Sequence, residues 1–296
     1  MNIQTISVVI PTKGCVNNCK FCVSKMHENN YLSINDISSF VKRIKYAYDN
    51  GVNTCILTGT GEPLQNIKYL TLLDNIFKSM KNPFPNIELQ TSGVLLNKRN
   101  IEILKSIGVN TISLSVSNIF DDDKNMEVVG VPDKLKFKLK DLILKLKGHN
   151  FNVRLSVNMT KDFDNIPPSE IIKKCKDLGA DQITFRELYH NNDDNYEQTK
   201  WVKENACKPK TIKRIKKYIG GVYVNLFNFR KNIKKGKGNY LYTLPFGGRV
   251  YSIEGMSTVV DDDCMSKNNK DTLKYVILRE NGKLYCRWDD EGSLIF

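Results

Sequence analysis

The stretch ISVVIPTKGCVNNCKFC (Ile6–Cys22) joins a β-branched strand pattern to a loop that carries three cysteines, Cys15, Cys19 and Cys22. Three thiolates can bind three irons of a four-iron cluster and leave the fourth iron open, whereas electron-transfer clusters ordinarily use four cysteines. A zinc site needs a fourth ligand at a similarly short spacing, and the nearby His27 completes no zinc pattern. The loop therefore favours an iron–sulfur cluster with one open coordination position.

Outward from this loop, strand and helix patterns alternate over residues 1–190. Six apolar, β-branched runs are typical of buried strands: ISVVIP, TCILTG, NIELQTS, NTISLSVS, FNVRLSVNMT and DQITFREL. Helical patterns separate them, and repeated βα units indicate a parallel sheet with helices outside. Because six strands are too few to close an eight-stranded barrel, we expect an α/β fold with an open partial (β/α)6 barrel.

Two of the helical stretches have informative boundaries. In SINDISSFVKRIKYAYDNG, Ser33 and Asp36 form a capping-box pattern and Gly51 ends the helix. The stretch PDKLKFKLKDLILKLKG alternates lysine with leucine or phenylalanine in its first half, which suits a strand. Over its full length the apolar residues follow a helical stripe, so we predict one helix that begins at Pro132.

Residues 191–296 differ in character, and we predict that they form a second region. The stretch KPKTIKRIKKYIGG is typical of a basic helix, and short β patterns follow from Val222 onward. The last of them, KYVILRENGKLYCRW, has Asn281-Gly282 between apolar arms, which predicts a hairpin. We expect this β-rich extension to close the open barrel and to supply substrate contacts.

A second motif, TGTGEPL (Thr58–Leu64), lies at the end of the second predicted strand. Its glycines, Gly59 and Gly61, let the backbone approach a ligand closely, and Pro63 fixes the turn. The Glu62 carboxylate can pair with an ammonium group. An ordinary strand-to-helix turn has the same composition, so the motif gains its meaning from its position relative to the cysteine loop.

The two motifs together resemble the radical S-adenosylmethionine (radical SAM) superfamily over about residues 6–190. The resemblance implies that the three cysteines hold a [4Fe-4S] cluster and that Phe21 packs near the SAM adenine. In this superfamily a Gly-Gly-Glu-Pro stretch binds the amino group of the SAM methionine. The matching residues of this chain are Gly59, Thr60, Gly61, Glu62 and Pro63.

Polar residues at later strand ends are weaker matches to the superfamily. Ser115, Ser117 and Asn158 lie where it holds the SAM carboxylate and ribose, at the strand ends where parallel α/β sheets bind ligands. Bonding to the local backbone explains any one of them equally well. Arg186 and Glu187 end the sixth strand, so they are candidates for adenine or substrate contacts.

The resemblance also implies an activity. The reduced cluster passes one electron to SAM, and the products are methionine and a 5′-deoxyadenosyl radical that takes a hydrogen atom from a substrate. The protein binds and aligns the reactants and excludes water. A reducing partner such as flavodoxin or ferredoxin would supply the electron. The resemblance assigns no residue of this chain to catalysis itself.

The charge distribution bears on the substrate. The chain has a formal net charge of +13, and residues 208–237 contain eleven Lys or Arg and no Asp or Glu. A solvated lysine face explains this, and so does a surface for a nucleotide or RNA that lies across the barrel mouth. The alternatives are a peptide-modifying enzyme, a non-catalytic iron–sulfur electron-transfer protein and a nucleic-acid-binding module.

The five cysteines outside the loop and the start of the chain give further expectations, on the core and on localisation. Cys55 and Cys175 fall on apolar strand and helix faces and are expected in the core. Cys207, Cys264 and Cys286 are dispersed, and an auxiliary cluster, a functional thiol and plain structure all remain open. The chain start shows no signal-peptide pattern and no run is long enough for a membrane span, so we expect a soluble, cytoplasmic protein.

Overall fold

The computed structural model describes residues 2–26, 37–226, 229–243, 248–261, 272–288 and 290–296. Its strands are, in chain order, β1 (Asn2–Ile10), β2 (Thr54–Gly59), β3 (Asn86–Thr91), β4 (Thr111–Val116), β5 (Asn152–Asn158), β6 (Gln182–Arg186), β7 (Gly221–Leu226), β8 (Phe229–Lys235), β9 (Asn239–Thr243), β10 (Arg249–Ile253), β11 (Met256–Asp261), β12 (Thr272–Leu278) and β13 (Leu284–Tyr285). All but β7 and β8 belong to one sheet, in the order β13-β12-β1-β2-β3-β4-β5-β6-β11-β10-β9.

The helices lie between these strands. They are α1 (Ile37–Asp49), α2 (Ile67–Ser79), α3 (Lys98–Ile107), α4 (Asp122–Val129), α5 (Leu139–Gly148), α6 (Pro168–Asp177), α7 (Glu197–Asn205) and α8 (Pro209–Gly220). Within the described residues, none of them combines the length and the apolar composition that crossing a bilayer requires.

Side-chain alternation along the strands separates a helix-packed face from a polar interior. In β4, Ile112, Leu114 and Val116 are buried in the core that the helices share with the sheet. Ser113 and Ser115 lie between them and therefore face the opposite side, since successive strand residues alternate. The interior of the partial barrel is thus lined by polar groups, which a ligand can contact.

Strands from the end of the chain extend the parallel sheet at both edges. β12 pairs in parallel with β1, and β11 pairs in parallel with β6. The fold is the predicted open partial barrel, and the sheet remains unclosed. The expected closure by the C-terminal strands is therefore not what the described residues show, because these strands lengthen the sheet instead. The division into regions at residue 190 stays a prediction.

Helix α8 packs as an outer helix of the barrel. Its buried side chains include Ile212, Ile215 and Ile219, which join the core shared by sheet and helices. The helix contacts α6, β10 and β11. The helical part of the basic stretch therefore lies on the outer face, and does not cross the mouth as the sequence suggested, because its apolar stripe requires burial against the sheet.

Other boundaries differ from the sequence predictions. The helix expected from Pro132 begins only at Leu139, after a short 3-10 turn at Asp133–Leu135, so the lysine–leucine alternation at its start is not helical. The hairpin around Asn281-Gly282 is present, with Leu278 opposite Leu284. The capping pair Ser33 and Asp36 lies outside the described residues.

Candidate functional site

The cysteine loop follows β1 directly and so lies at the carboxyl edge of the parallel strands. The pKa of Cys19 is raised to about 12, mainly by burial and to a smaller extent by the neighbouring thiols of Cys22 and Cys15. Burial likewise raises the pKa of Cys15, opposed by the Asn17 amide, which donates to Cys15 Sγ at 3.4 Å. The Cys22 amide donates to the Cys19 carbonyl at 3.3 Å, so the thiols belong to one tight loop.

This thiol set fits the cluster that the sequence predicts. Within the described ranges, no three His, Cys, Asp or Glu side chains converge closely enough to hold a single metal ion. A four-iron cluster makes a different demand, because each cysteine binds its own iron across the width of the cluster. Three thiols on one short loop meet that demand and provide no fourth ligand. Cys15, Cys19 and Cys22 would hold such a cluster.

The end of α4 supports the cysteine loop through backbone contacts. The amides of Asn18 and Lys20 donate to the carbonyls of Gly130 and Val128 at 3.1 and 3.0 Å. Gly130 has φ +65°, and a Cβ there would lie 2.4 Å from the Asn18 carbonyl oxygen. Only glycine permits this approach. Gly130 therefore both caps the C-terminus of α4 and supports the cysteine loop.

The TGTGEPL loop packs against the start of the cysteine loop. A Cβ on Gly61 would lie 2.4 Å from Thr12 Oγ1 and 2.5 Å from the Gly14 carbonyl oxygen. The amide of Val16 donates to Gln65 Oε1 at 2.8 Å. The two motifs that are separated in sequence therefore form one continuous surface, and glycine at position 61 is what allows it.

The Glu62 carboxylate is turned toward the end of β3. Thr91 Oγ1 donates to Oε1 at 2.6 Å, while the Ser92 amide and hydroxyl donate to Oε2 at 3.0 and 2.7 Å. Asn17 Nδ2 donates to the Ser92 hydroxyl at 2.7 Å, which extends the network to the cysteine loop. Burial raises the pKa of Glu62 and these hydrogen bonds oppose the rise. The carboxylate thus anchors the loop to β3 and to the cysteines.

The polar strand-end residues lie together, as the parallel sheet requires. Asn158 Nδ2 donates to Ser115 Oγ at 3.0 Å and to Ser117 Oγ at 3.4 Å. Ser115 and Asn158 face a cavity, while Ser117 is buried behind them and its amide donates to Asn125 Oδ1. Their part in SAM binding stays a prediction.

A cavity of ≈ 240 Å³ opens between the cysteine loop and the strand ends. It is lined by Cys19, Phe21, Cys22, Val23, Gln90, Ser113, Ser115, Ser156, Asn158, Arg186, Glu187, Leu188 and Tyr189. Two cluster cysteines therefore share one cavity with polar groups from β3 to β6. The loop Gly59–Glu62 lies beside this cavity and does not line it.

The segment after β6 lies against the same loop. The Phe21 and Trp201 ring centroids are 6.2 Å apart, and α7 contacts the 3-10 turn Val23–Met26. Asn191 Nδ2 donates to the Met26 carbonyl at 2.7 Å. This segment therefore packs against the cysteine loop beside the cavity, a contact that the sequence did not reveal because α7 lacks a strong apolar stripe.

The sequence also missed Gln90, Ser113 and Ser156 as cavity residues. Each is a polar side chain at an inward position of a strand; Ser113 and Ser156 lie between apolar neighbours, and Gln90 lies between Leu89 and Thr91. The period-two alternation of polar and apolar residues on consecutive parallel strands was the signal available for them.

The remaining cysteines agree with the expectations where the chain is described. Cys55 and Cys175 are fully buried in the core. The Cys207 amide donates to the Met159 carbonyl just beyond β5, and the Cys286 amide donates to the Ser293 carbonyl near β13. Cys264 lies outside the described residues, so the auxiliary cluster is untested.

Comparison with known proteins agrees with this geometry. The family model described as the radical SAM superfamily matches residues 9–160, just over half of the chain. The match covers the cysteine loop, the TGTGEPL loop and the strand ends through β5. The chain belongs to the radical SAM superfamily. That family implies a [4Fe-4S] cluster and SAM binding.

Individual relatives are more distant. The 5-amino-6-(D-ribitylamino)uracil–L-tyrosine 4-hydroxyphenyl transferase of Methanocaldococcus jannaschii is 26% identical over 162 residues, 50% of this chain and 44% of that protein. The probable GTP 3′,8-cyclase of Methanococcus aeolicus is 27% identical over 108 residues, 36% of each chain. The chain spans less than half the length of either relative.

Among solved structures, native anSMEcpe with bound AdoMet and Kp18Cys peptide superposes with a TM-score of 0.54. The two are 15% identical, and the match covers 73% of this chain and 58% of that one. At this identity the similarity concerns the fold.

Proposed function

We propose that this chain is a radical SAM enzyme that acts on an anionic substrate, either a nucleotide or RNA. The observation that carries the proposal is the close packing of Gly61 against Thr12 and Gly14, which joins the TGTGEPL loop to the cysteine loop. When bound, the cluster and SAM supply a one-electron cleavage that yields a 5′-deoxyadenosyl radical for hydrogen abstraction. We further propose that a reducing partner such as flavodoxin or ferredoxin supplies the electron.

The residues of the chain bind, orient and shield the reactants. Cys15, Cys19 and Cys22 hold the cluster at the carboxyl edge of the sheet. The backbone of Gly59–Gly61 receives the amino group of SAM, and Glu62 fixes that backbone through its bonds to β3. Phe21, packed on Trp201, covers the cavity and excludes water from it.

Arg186 supports the anionic class of substrate. Its Nε donates to Ser156 Oγ at 3.1 Å, and its Nη2 forms an ion pair with Asp261 Oδ2 at 3.7 Å, which is longer than a hydrogen bond. Among the described residues no hydrogen bond is assigned to its two Nη groups, and the side chain lines the cavity. A guanidinium whose Nη groups make only this longer ion pair suits bidentate pairing with a phosphate or carboxylate. The relative named as a GTP cyclase agrees with a nucleotide.

The surface lysines of α8 supply a second, weaker argument. They point away from the core on the outer face of the barrel, where only a long polyanion such as RNA reaches both them and the cavity. Arg214 does not belong to this set, because its Nη2 donates to the carbonyls of Phe163 and Ile166 at 3.2 and 2.9 Å. The exposed positions suited to a test are Lys210, Lys213 and Lys217.

The test incubates reconstituted, dithionite-reduced protein with SAM and measures 5′-deoxyadenosine by chromatography. We expect slow formation without substrate and a stimulation by nucleotides or RNA. Arg186→Gln should remove the stimulation while preserving the slow background. The triple Lys→Gln variant should weaken stimulation by RNA, with a shallower salt dependence, and leave stimulation by mononucleotides intact.

Other outcomes contradict parts of the proposal. Stimulation by peptides alone would replace the anionic substrate with a peptide. No deoxyadenosine from a protein with a complete cluster would favour a non-catalytic electron-transfer or nucleic-acid-binding protein.

A further inference from the structure

The turn after β12 lies at the same sheet edge as the two SAM-site loops. Val8 of β1 pairs with Leu278 of β12, and Ile10 pairs with Gly59 of β2. Because the three strands are parallel, the segments that follow them emerge side by side. These segments are the β12–β13 turn, the cysteine loop and the TGTGEPL loop. The C-terminal hairpin is therefore placed next to the proposed SAM site.

A partly buried hydrogen bond joins this hairpin turn to the TGTGEPL loop. Thr60 Oγ1 donates to Glu280 Oε1 at 2.7 Å, across 220 positions of sequence. Glu280 is only 7% exposed. A carboxylate acceptor shielded from water strengthens the bond, and loss of the Thr60 donor removes the hydrogen bond that opposes the burial-raised pKa of Glu280.

The turn that presents Glu280 is itself rigid. Arg279 Nη2 donates to the carbonyls of Arg287 and Trp288 at 3.0 and 2.9 Å, and its guanidinium lies 4.1 Å from the Tyr285 ring centroid. Asn281 Nδ2 donates to the Tyr285 hydroxyl at 2.9 Å. The carboxylate is therefore held by a fixed backbone, and Thr60 bonds to a defined position.

We propose that Glu280 is a positioning residue that fixes the SAM-binding loop through Thr60. Thr60 lies between Gly59 and Gly61, whose backbones have the greatest freedom to leave the binding conformation. Anchoring the residue between them lowers the conformational entropy that SAM binding has to remove. The inference rests on the proposed function for its consequence in SAM binding, while the link between hairpin and loop stands on the structure.

Two measurements test the inference on the full chain. Anaerobic equilibrium dialysis gives the SAM dissociation constant of the reconstituted protein. Hydrogen exchange of the 58–64 backbone amides, measured without SAM, reports the order of the loop directly. The variants are Thr60→Val, Glu280→Ala, their double, and the conservative Glu280→Gln, which keeps an oxygen acceptor. Lys283→Ala in the same turn is the matched control, because this exposed side chain makes no assigned bond among the described residues.

We expect Thr60→Val and Glu280→Ala each to weaken SAM binding about five- to tenfold and to speed exchange in the loop. The double variant should be no worse than either single variant, because both remove the same bond. Glu280→Gln should largely restore both readouts, and Lys283→Ala should match the wild type.

Several results would overturn the inference. Multiplicative losses in the double variant would show that the two residues act independently. A larger loss of SAM affinity in Glu280→Gln than in Thr60→Val would show that the carboxylate contacts SAM itself. Unchanged hydrogen exchange of the 58–64 amides in both single variants would show that the Thr60–Glu280 bond does not order the loop. If the wild type binds no SAM while the exchange results hold, the proposed function fails and the structural link survives.

Discussion

Gly130→Ala probes the support of the cysteine loop by α4. Gly130 caps α4 with φ +65°, and an added Cβ would meet the Asn18 carbonyl oxygen at 2.4 Å and its carbonyl carbon at 2.6 Å. The matched control is Gly108→Ala. Gly108 caps α3 with φ +89°, but its nearest neighbour would be Ile87 Cδ1 at 3.7 Å, an ordinary contact. The two variants share the backbone strain and differ in the collision.

The magnitudes follow from that difference. An alanine in the left-handed conformation costs about 1–2 kcal/mol of unfolding free energy at either position. Forcing a methyl group into packed backbone adds about 1–3 kcal/mol at Gly130. The neighbour is main chain, so relief requires movement of the cysteine loop itself. We expect Gly130→Ala to lose about 2–5 kcal/mol in total and to displace the loop.

Urea denaturation of the apo protein and iron content after anaerobic reconstitution are the two measurements. Gly108→Ala should lose stability modestly and bind iron as the wild type does. Gly130→Ala should be less stable and should reconstitute with clearly less iron per chain. Equal stability and equal iron content in the two variants would refute the argument that α4 supports the cluster loop.

Further predictions concern three other positions. Gly61→Ala should weaken SAM binding at least about tenfold in equilibrium dialysis, because the new methyl group separates the two loops; an unchanged affinity would contradict their packing. Arg214→Gln should lower the unfolding free energy by about 1–3 kcal/mol in urea, through its lost carbonyl bonds. Lys213→Gln should stay within about 0.5 kcal/mol of the wild type, and equal losses would refute the structural role of Arg214. Burial raises the pKa of Cys175 to about 12, so native protein at pH 8 should leave it unlabelled by iodoacetamide in mass spectrometry, and rapid labelling would contradict its burial.

The barrel and the cysteine loop were predictable because their signals are local. TCILTG predicted β2 at Thr54–Gly59 with its observed bounds. The Cys-x3-Cys-x2-Cys spacing and the TGTGEPL loop each lie within ten residues, so the sequence displays them whole. Parallel βα topology then places both at one edge without further information.

The rest depended on contacts between distant segments. The pairing of β12 with β1 joins Asn2 to Thr272, and no local pattern encodes such a register. The same is true of the Thr60–Glu280 bond, which joins a loop to a turn near the end of the chain. The predicted start of α5 at Pro132 was wrong, because alternating lysine and leucine is compatible with both the strand period of two and the helical period of 3.6. The helix begins at Leu139, which is buried.

The most direct test of the three-cysteine cluster site is the electron paramagnetic resonance spectrum of the reconstituted, dithionite-reduced protein, recorded with and without SAM. We expect a [4Fe-4S] signal that changes when SAM is added and that is absent from the Cys15→Ala, Cys19→Ala, Cys22→Ala triple variant. A full signal in the triple variant, or a signal in the wild type that SAM leaves unchanged, would contradict this expectation.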